Sequence, residues 1–171
     1  DKREIPTRNV VVATGFYDLP NPLGVPGEDL PHVSHYYKEP YQHVLQNVVV
    51  IGAKNSSAKA ALQMTRAGAK VTLIVRGPAV SDSVKYWIRP DLVNRIAEGR
   101  ITAHFNTTIT AITPAAVEVL TPDGPLTIPT DFVYALTGYH PDEALLGRLG
   151  VEPDPADEAL APLFDPATHE T

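Results

Sequence analysis

The sequence predicts an α/β fold class, namely a three-layer domain with a parallel sheet and an antiparallel β excursion. Between residues 47 and 75 an apolar strand, a glycine turn, a helix pattern and a second apolar strand follow one another. A strand, helix and strand of about 30 residues almost always form a right-handed parallel unit. Strand and helix patterns then alternate as far as residue 136. This succession is typical of a Rossmann-like nucleotide-binding domain.

The first predicted strand and the last 30 residues fit that domain poorly. Asn9–Thr14 is apolar and β-branched and is closed by Gly15, which predicts a buried strand. Residues 16–40 are rich in proline and show no apolar period, so we expect a long structured loop there.

The central unit is the most regular part of the chain. Asn47–Ile51 is predicted to be a buried strand, and Lys70–Val75 is predicted to run parallel beside it. The segment between them is rich in alanine and has helical spacing. Asn55 or Ser56 could cap this helix, because short polar side chains accept hydrogen bonds from its unpaired N–H groups. Gly68 suits its end.

The remaining elements complete the alternation. We expect helices at Pro90–Glu98 and Pro141–Leu149, a parallel strand at Ile101–Phe105, antiparallel strands within Thr108–Ile128 and a last parallel strand at Asp131–Leu136.

Composition excludes several classes of function. The net charge of -6 and the pI near 5.4 give no basic field for nucleic acid or an anionic membrane, so neither partner is expected. No apolar run approaches the roughly 20 residues of a membrane span, and we expect a cytoplasmic protein. The 171 residues contain no cysteine, which excludes disulfides, thiolate metal sites and thiol chemistry by these residues.

The turn after the second strand is the candidate pyrophosphate site. In the dinucleotide fingerprint the first glycine allows the bend, the second leaves room for the pyrophosphate, and the third position lets helix and strand pack closely. Gly52 and Ser57 meet the first and third requirements, whereas Lys54 replaces the second glycine. Its ammonium could pair with the pyrophosphate or its side chain could obstruct it. The candidate residues are Gly52, Ala53, Lys54, Asn55, Ser56 and Ser57.

The end of the next strand indicates which nicotinamide nucleotide binds. A carboxylate there accepts the ribose hydroxyls of NAD, whereas an arginine accommodates the 2′-phosphate of NADP. Arg76 stands at this place, with no acidic residue before Asp82. Arg76 therefore favours NADPH, with Lys85 and Arg89 as candidate second contacts and Ser81 and Ser83 as candidate hydroxyl donors.

Other polar and aromatic residues have simpler interpretations. His32, His35 and His43 match no zinc spacing, so packing and surface roles are expected. Trp87 is expected to be a packing anchor. No arrangement for hydrolysis or phosphoryl transfer is visible, and no metal site is predicted.

Five stretches together resemble a known family. They are "VVVATGFYDLPNPLGVPGED", "VVVIGAKNSSAKAAL", "VTLIVRG", "SVKYWIRPDLVNRI" and "FVYALTGYHPD". They resemble the thioredoxin-reductase-like pyridine nucleotide-disulfide oxidoreductases, and within them the single-cysteine bacillithiol-disulfide reductase branch. The resemblance covers roughly residues 5–171.

The resemblance implies an enzyme with an FAD domain, split in sequence, and an NADPH domain inserted between its halves. It assigns residues 1–43 to the end of the first FAD half and a linker, 44–138 to the NADPH domain, and 139–171 to the start of the second FAD half. Thr14 and Gly15 match the turn that closes the first half, and Thr137 and Gly138 match the turn that leads into the second.

The function that the resemblance implies is hydride transfer from NADPH to FAD and reduction of a low-molecular-weight or protein thiol substrate, in a homodimer. The family's glycine-rich FAD turn with its cysteine, and its carboxy-terminal flavin motif, have no match in these residues. We therefore expect this chain alone to be inactive. The alternatives are part of a flavin-dependent monooxygenase, part of a ferredoxin-NADP reductase, or a non-catalytic nucleotide-binding domain.

Overall fold

The computed structural model describes residues 4–15, 17–152, 154–155, 161–168 and 170–171. The chain divides into two compact units, Asn21–Gly138 and a unit built from Asp1–Pro20 with Tyr139–Thr171. The strands are β1 (Leu19–Pro20), β2 (Val33–Ser34), β3 (Asn47–Ile51), β4 (Lys70–Ile74), β5 (Ile101–His104), β6 (Thr108–Thr113), β7 (Ala116–Thr121), β8 (Gly124–Pro129), β9 (Phe132–Ala135) and β10 (Tyr139–His140). The helices are α1 (Asn55–Arg66), α2 (Arg89–Ala97) and α3 (Glu143–Arg148), with a 3₁₀ turn at Tyr41–His43.

The larger unit has three layers around a parallel sheet of order β2-β9-β3-β4-β5. Alternate residues of β3 point to opposite faces. Val48 and Val50 pack with the buried alanines of α1 and with Leu92 of α2. Val49 and Ile51 pack instead against the antiparallel sheet β6-β7-β8, which covers the other face. The predicted α/β fold class is therefore confirmed.

The prediction of a buried strand at Asn9–Thr14 is wrong. These residues have no regular secondary structure, and Val10 and Val11 are 71% and 89% exposed. An apolar, β-branched run becomes a buried strand only where neighbouring strands pair with its N–H and C=O groups, and no described strand pairs with this one.

The proline-rich loop contains more structure than its composition predicts. Val33–Ser34 joins the parallel sheet as the edge strand beside β9, with Val33 opposite Val133. The loop before it is held to the antiparallel sheet, where the N–H of Ile112 donates to the carbonyl of Pro26 at 2.8 Å. The loop from Asn21 onward therefore belongs to the larger unit rather than running freely over it.

Most local signals in the central region hold. Gly68 follows the end of α1 with φ +98, and Pro90 lies in the first turn of α2. The predicted hairpin is a three-stranded antiparallel sheet, because residues 114 and 115 make a second turn before β7.

In its described part, the smaller unit contains the short strands β1 and β10 and the short helix α3. β1 and β10 pair antiparallel, with Leu19 opposite His140. α3 begins after Asp142, whose side chain accepts a hydrogen bond from the N–H of Leu145 at 2.9 Å. Among the described residues, no helix combines the length and the apolar character needed to cross a membrane.

Candidate functional site

The candidate site lies at the carboxyl edge of the parallel sheet. β9, β3 and β4 end level with one another, with Ile51 opposite both Ala135 and Ile74. The hydrogen bonding continues past these ends, because the N–H of Gly52 donates to the carbonyl of Ile74 at 3.0 Å and that of Leu136 donates to Ile51 at 2.9 Å. The turn after β3 is therefore fixed to strands on both sides.

Gly52 occupies a position that only glycine can fill without distortion. Its φ is +137, and a Cβ there would lie 2.6 Å from the carbonyl oxygen of Leu136 and 3.2 Å from the side chain of Ser57. Both the backbone conformation and the close approach of β9 and α1 require glycine. The geometry is that of the first glycine of a dinucleotide turn.

Ser57 closes the turn from the helix side. The side chain is buried, and its Oγ donates to the carbonyl of Lys54 at 2.8 Å. The first hydrogen bond of α1 runs from the N–H of Ala58 to that same carbonyl at 3.0 Å. The N–H groups of residues 55–57 therefore precede the helical hydrogen bonds, and such groups at a helix start attract anions.

Lys54 has an ordinary backbone conformation at the place of the second glycine. Its φ of -104 and ψ of -167 are extended values that any residue adopts, and the residue is exposed. The chain therefore needs no glycine here for its own folding.

Asn55 and Ser56 do not cap α1, contrary to the sequence-based expectation. Lys54 is the capping residue, and it makes no side-chain capping bond. The Nδ2 of Asn55 instead donates to the carbonyl of Ser83 at 3.2 Å, and its Oδ1 accepts from the N–H of Lys85 at 2.9 Å. These tertiary hydrogen bonds override the preference of asparagine for a capping position. Ser56 is exposed.

The cations predicted to contact a phosphate have different environments. Arg76, two residues beyond β4, is exposed and has no ion-pair partner in the described part of the chain. Arg89 pairs with Asp82 at 3.0 Å and lines a cavity of about 530 Å³ with Pro90 and Val93. The ammonium of Lys85 lies 5.2 Å from the centre of the Trp87 ring. Arg76 thus has no ion pair among the described residues, whereas Arg89 has one, with the exposed Asp82.

The expectation that Trp87 anchors the core is wrong. Trp87 is 60% exposed and packs edge-on against Tyr86, with ring centres 4.8 Å apart. The segment is anchored by Val80 and Val84, which are buried in the core between α1 and the sheet. Small β-branched residues provide the packing, and the large aromatic residues remain at the surface.

The two turns predicted to flank a flavin belong to different units. In the larger unit the Oγ1 of Thr137 donates to the carbonyl of Asn21 at 2.6 Å, and Gly138 has φ +96. In the smaller unit Thr14 and Gly15 lie in exposed coil.

A buried polar network surrounds the hydroxyl group of Tyr134, a residue of β9. The Tyr134 hydroxyl lies 2.8 Å from Nε2 of His43, whose Nδ1 lies 2.8 Å from the side-chain oxygen of Gln46, and Gln42 donates to the same hydroxyl at 3.0 Å. Burial raises the pKa of Tyr134. Burial also raises the pKa of Tyr37 to about 12, aided by nearby Tyr134 and Glu39.

The histidines have structural roles. His43 is buried in this network, Nε2 of His32 lies 3.1 Å from the carbonyl of Thr113, and His35 faces Glu28 at 3.3 Å. No group of three metal-ligating side chains occurs among the described residues.

The link made by Asn55 is the feature that sequence reasoning missed. The local pattern assigns asparagine at a helix start to capping, and nothing in the spacing shows that residues 81–85 return to it. The N–H of Ser81 also donates to the carbonyl of Ala53 at 3.2 Å. The structure therefore joins the turn at Gly52–Ser57 to the segment that contains Lys85, a link that the sequence does not predict.

Fold and site together define a Rossmann-like α/β domain with a dinucleotide-type turn. The chain belongs to the pyridine nucleotide-disulphide oxidoreductase family, whose model matches residues 1–171. It is 44% identical over 171 residues to bacilliredoxin reductase Bdr of Bacillus subtilis, covering 99% of this chain and 52% of that protein. The resemblance seen in the sequence is thereby confirmed.

Two solved structures support the same relationship. The bacillithiol disulfide reductase Bdr of Staphylococcus aureus aligns with a TM-score of 0.88 at 40% identity, over 91% of this chain and 48% of that one. The Bacillus cereus enzyme of the same name aligns with a TM-score of 0.85 at 42% identity, over 89% and 46%. The chain thus spans about half the length of the relatives it matches.

Proposed function

We propose that this chain is the NADPH-binding portion of an FAD-dependent thiol/disulfide oxidoreductase, in which hydride passes from NADPH to flavin. The observation that supports it most directly is Gly52: its φ is +137 and a Cβ there would lie 2.6 Å from the carbonyl oxygen of Leu136, so the tight turn after β3 requires glycine, as the first position of a pyrophosphate-binding turn does. Family membership supports the redox class.

The residues of the sheet edge fit a dinucleotide. The N–H groups at the start of α1 would donate to the pyrophosphate, and the exposed Lys54 would add an ammonium beside it. Arg76 would pair with the 2′-phosphate, since no described carboxylate engages it. NADPH, when bound, supplies the hydride.

The chain's own contribution is to bind and orient the nucleotide. Gly52 and Leu136 are hydrogen-bonded to neighbouring strands, so the backbone of the turn is held in one position before the nucleotide binds. We propose that Thr137 and Gly138, which follow β9 at the same edge, lie on the nicotinamide side of the site.

FAD is assigned to the complete enzyme on the basis of family membership. Thr14 and Gly15 lie in exposed coil and do not form a flavin site by themselves. We propose that residues 1–43 supply the end of the first half of a flavin domain and a linker, that residues 44–138 form the NADPH domain, and that residues 139–171 begin the second flavin half. The part of the linker from Asn21 onward packs with the larger unit.

The proposed substrate is a disulfide of a low-molecular-weight thiol or of a small redox protein. The relatives are named for bacillithiol disulfide and for bacilliredoxin. A thiol step needs a cysteine outside these residues, because this sequence contains none.

The decisive test is calorimetric titration of the protein and of Arg76→Ala with NADPH and with NADH. A charge-assisted contact to phosphate contributes about 1.5–3 kcal/mol, so Arg76→Ala should weaken NADPH binding about 10–100-fold. NADH affinity should stay unchanged, because NADH has no 2′-phosphate.

The matched control is Arg100→Ala. Arg100 is also exposed but precedes β5, at the opposite edge of the sheet. It should leave both affinities unchanged. Equal affinity of the unmodified protein for the two nucleotides would refute the NADPH assignment, and binding of neither would refute the proposed function.

A further inference from the structure

The side chain of Asn55 is used in an unusual way for the first residue of a helix. Asparagine in this region commonly accepts hydrogen bonds from the helix's own N–H groups. Here both ends of the amide reach backbone atoms about 30 residues away, at Ser83 and Lys85. These two hydrogen bonds fix both the position and the direction of the backbone at residues 83–85.

The contact joins the two parts of the candidate site. Asn55 belongs to the turn at Gly52–Ser57, while Ser83 and Lys85 belong to the segment 76–88, which begins at Arg76. The N–H of Ser81 adds a third bond, at 3.2 Å, to the carbonyl of Ala53. Three hydrogen bonds therefore set the register between the turn and the 76–88 segment.

Other contacts hold the 76–88 segment without setting that register. Val80 and Val84 are 5% and 3% exposed and anchor it in the core. The ammonium of Lys85 is held at the Trp87 ring, 5.2 Å from its centre. Removal of the Asn55 amide would leave these contacts in place and remove two of the three hydrogen bonds between the turn and the segment.

We propose that Asn55 is a positioning residue for nucleotide specificity. It holds residues 81–85 against the turn, and so sets the position of Lys85 relative to the phosphate of a nucleotide whose pyrophosphate lies at the turn. Arg76 is held separately, because its neighbours Val75 and Gly77 are hydrogen-bonded to residues 104–107. This inference rests on the proposed NADPH function. Asn55 acts through the segment and its amide needs no contact with the nucleotide.

The test is Asn55→Ala, measured by titration with NADPH and NADH and by amide hydrogen exchange. We expect NADPH affinity to fall about tenfold and NADH affinity to change less than about threefold, because only NADPH uses the 76–88 segment. The N–H of Lys85 loses its acceptor and should exchange faster without any nucleotide. Asn55→Ser, whose side chain is too short to span the gap and suits a helix start, should behave alike if Asn55→Ala folds poorly.

Asn47→Ala is the matched control. Asn47 opens β3 at the opposite edge, where its Nδ2 donates to Asp131 at 3.2 Å, so the same substitution also removes a side-chain hydrogen bond. It should leave the preference for NADPH unchanged.

The outcomes separate this inference from the proposed function. If Arg76→Ala removes the NADPH preference and Asn55→Ala keeps it, the positioning role of Asn55 is refuted and the proposed function stands. An equal loss for both nucleotides in Asn55→Ala would also refute it, since the effect would then belong to the turn. A protein without any NADPH preference would refute both.

Discussion

Gly52→Ala should strongly destabilise the larger unit. An alanine at φ +137 is strained by about 1–3 kcal/mol. Its Cβ would also lie 2.6 Å from the carbonyl oxygen of Leu136, and overpacking of this kind costs about 1–3 kcal/mol. Leu136 cannot move away cheaply, because its N–H is bonded to Ile51 at 2.9 Å. The sum is a loss of about 2–6 kcal/mol in the free energy of unfolding.

Urea unfolding followed by circular dichroism measures this loss. Gly77→Ala is the matched control, because Gly77 lies at the same edge with nothing within 4 Å of a Cβ and has no positive φ. That substitution should change the free energy of unfolding by no more than about 0.5–1 kcal/mol, and in the stabilising direction if at all. A loss below about 1 kcal/mol for Gly52→Ala, with an unchanged denaturant slope, would refute the steric argument.

Two further predictions concern Lys54 and Tyr37. Lys54→Ala should weaken NADPH and NADH binding equally, because both nucleotides contain the pyrophosphate. The control Lys59→Ala, in the next turn of α1, should weaken neither. Tighter binding by Lys54→Ala would show instead that the lysine obstructs the turn. The pKa of Tyr37 is raised from 10.0 to about 12, so the folded state keeps a proton that the unfolded state loses, and the free energy of unfolding should fall as pH rises from about 10 towards 12. Tyr37→Phe should reduce that slope, measured by urea unfolding at several alkaline pH values. It should cost little at neutral pH, since the Tyr37 hydroxyl is buried without a partner among the described residues; an unchanged slope would contradict this reasoning.

The β3–α1–β4 unit could be predicted from the sequence because its signals are local. Alternate apolar residues, a glycine that alone tolerates the bend, and Gly68 at the helix end each act over a few residues. The same holds for Pro90 in the first turn of α2. The parallel pairing of β3 with β4 was predictable for the same reason, because a strand, helix and strand of this length almost always form such a unit.

Features that depend on distant neighbours could not be predicted in this way. Asn9–Thr14 has the composition of a strand, but composition supplies no pairing partner. Val33–Ser34 has a weak local pattern, but it gains a partner in β9. Trp87 and Val84 are separated by only two residues, and only the tertiary structure decides which of them is buried.

In the candidate site, the residue types were predictable and their connections were not. Gly52 and Arg76 are identified by position relative to the strand ends, which the sequence shows. The hydrogen bonds of Asn55 join residues about 30 positions apart, and no periodicity reports them. The region where the turn meets the 76–88 segment is therefore a product of the fold rather than of the motif.

Because Trp87 is exposed, it can serve as an intrinsic fluorescence probe. It is the single tryptophan of the sequence, it is 60% exposed, and it lies in the segment whose backbone Asn55 holds. Its emission therefore arises from one known place, beside the ammonium of Lys85. A reduced nicotinamide absorbs in the range where indole emits, so energy transfer from Trp87 could follow nucleotide binding in real time without a label.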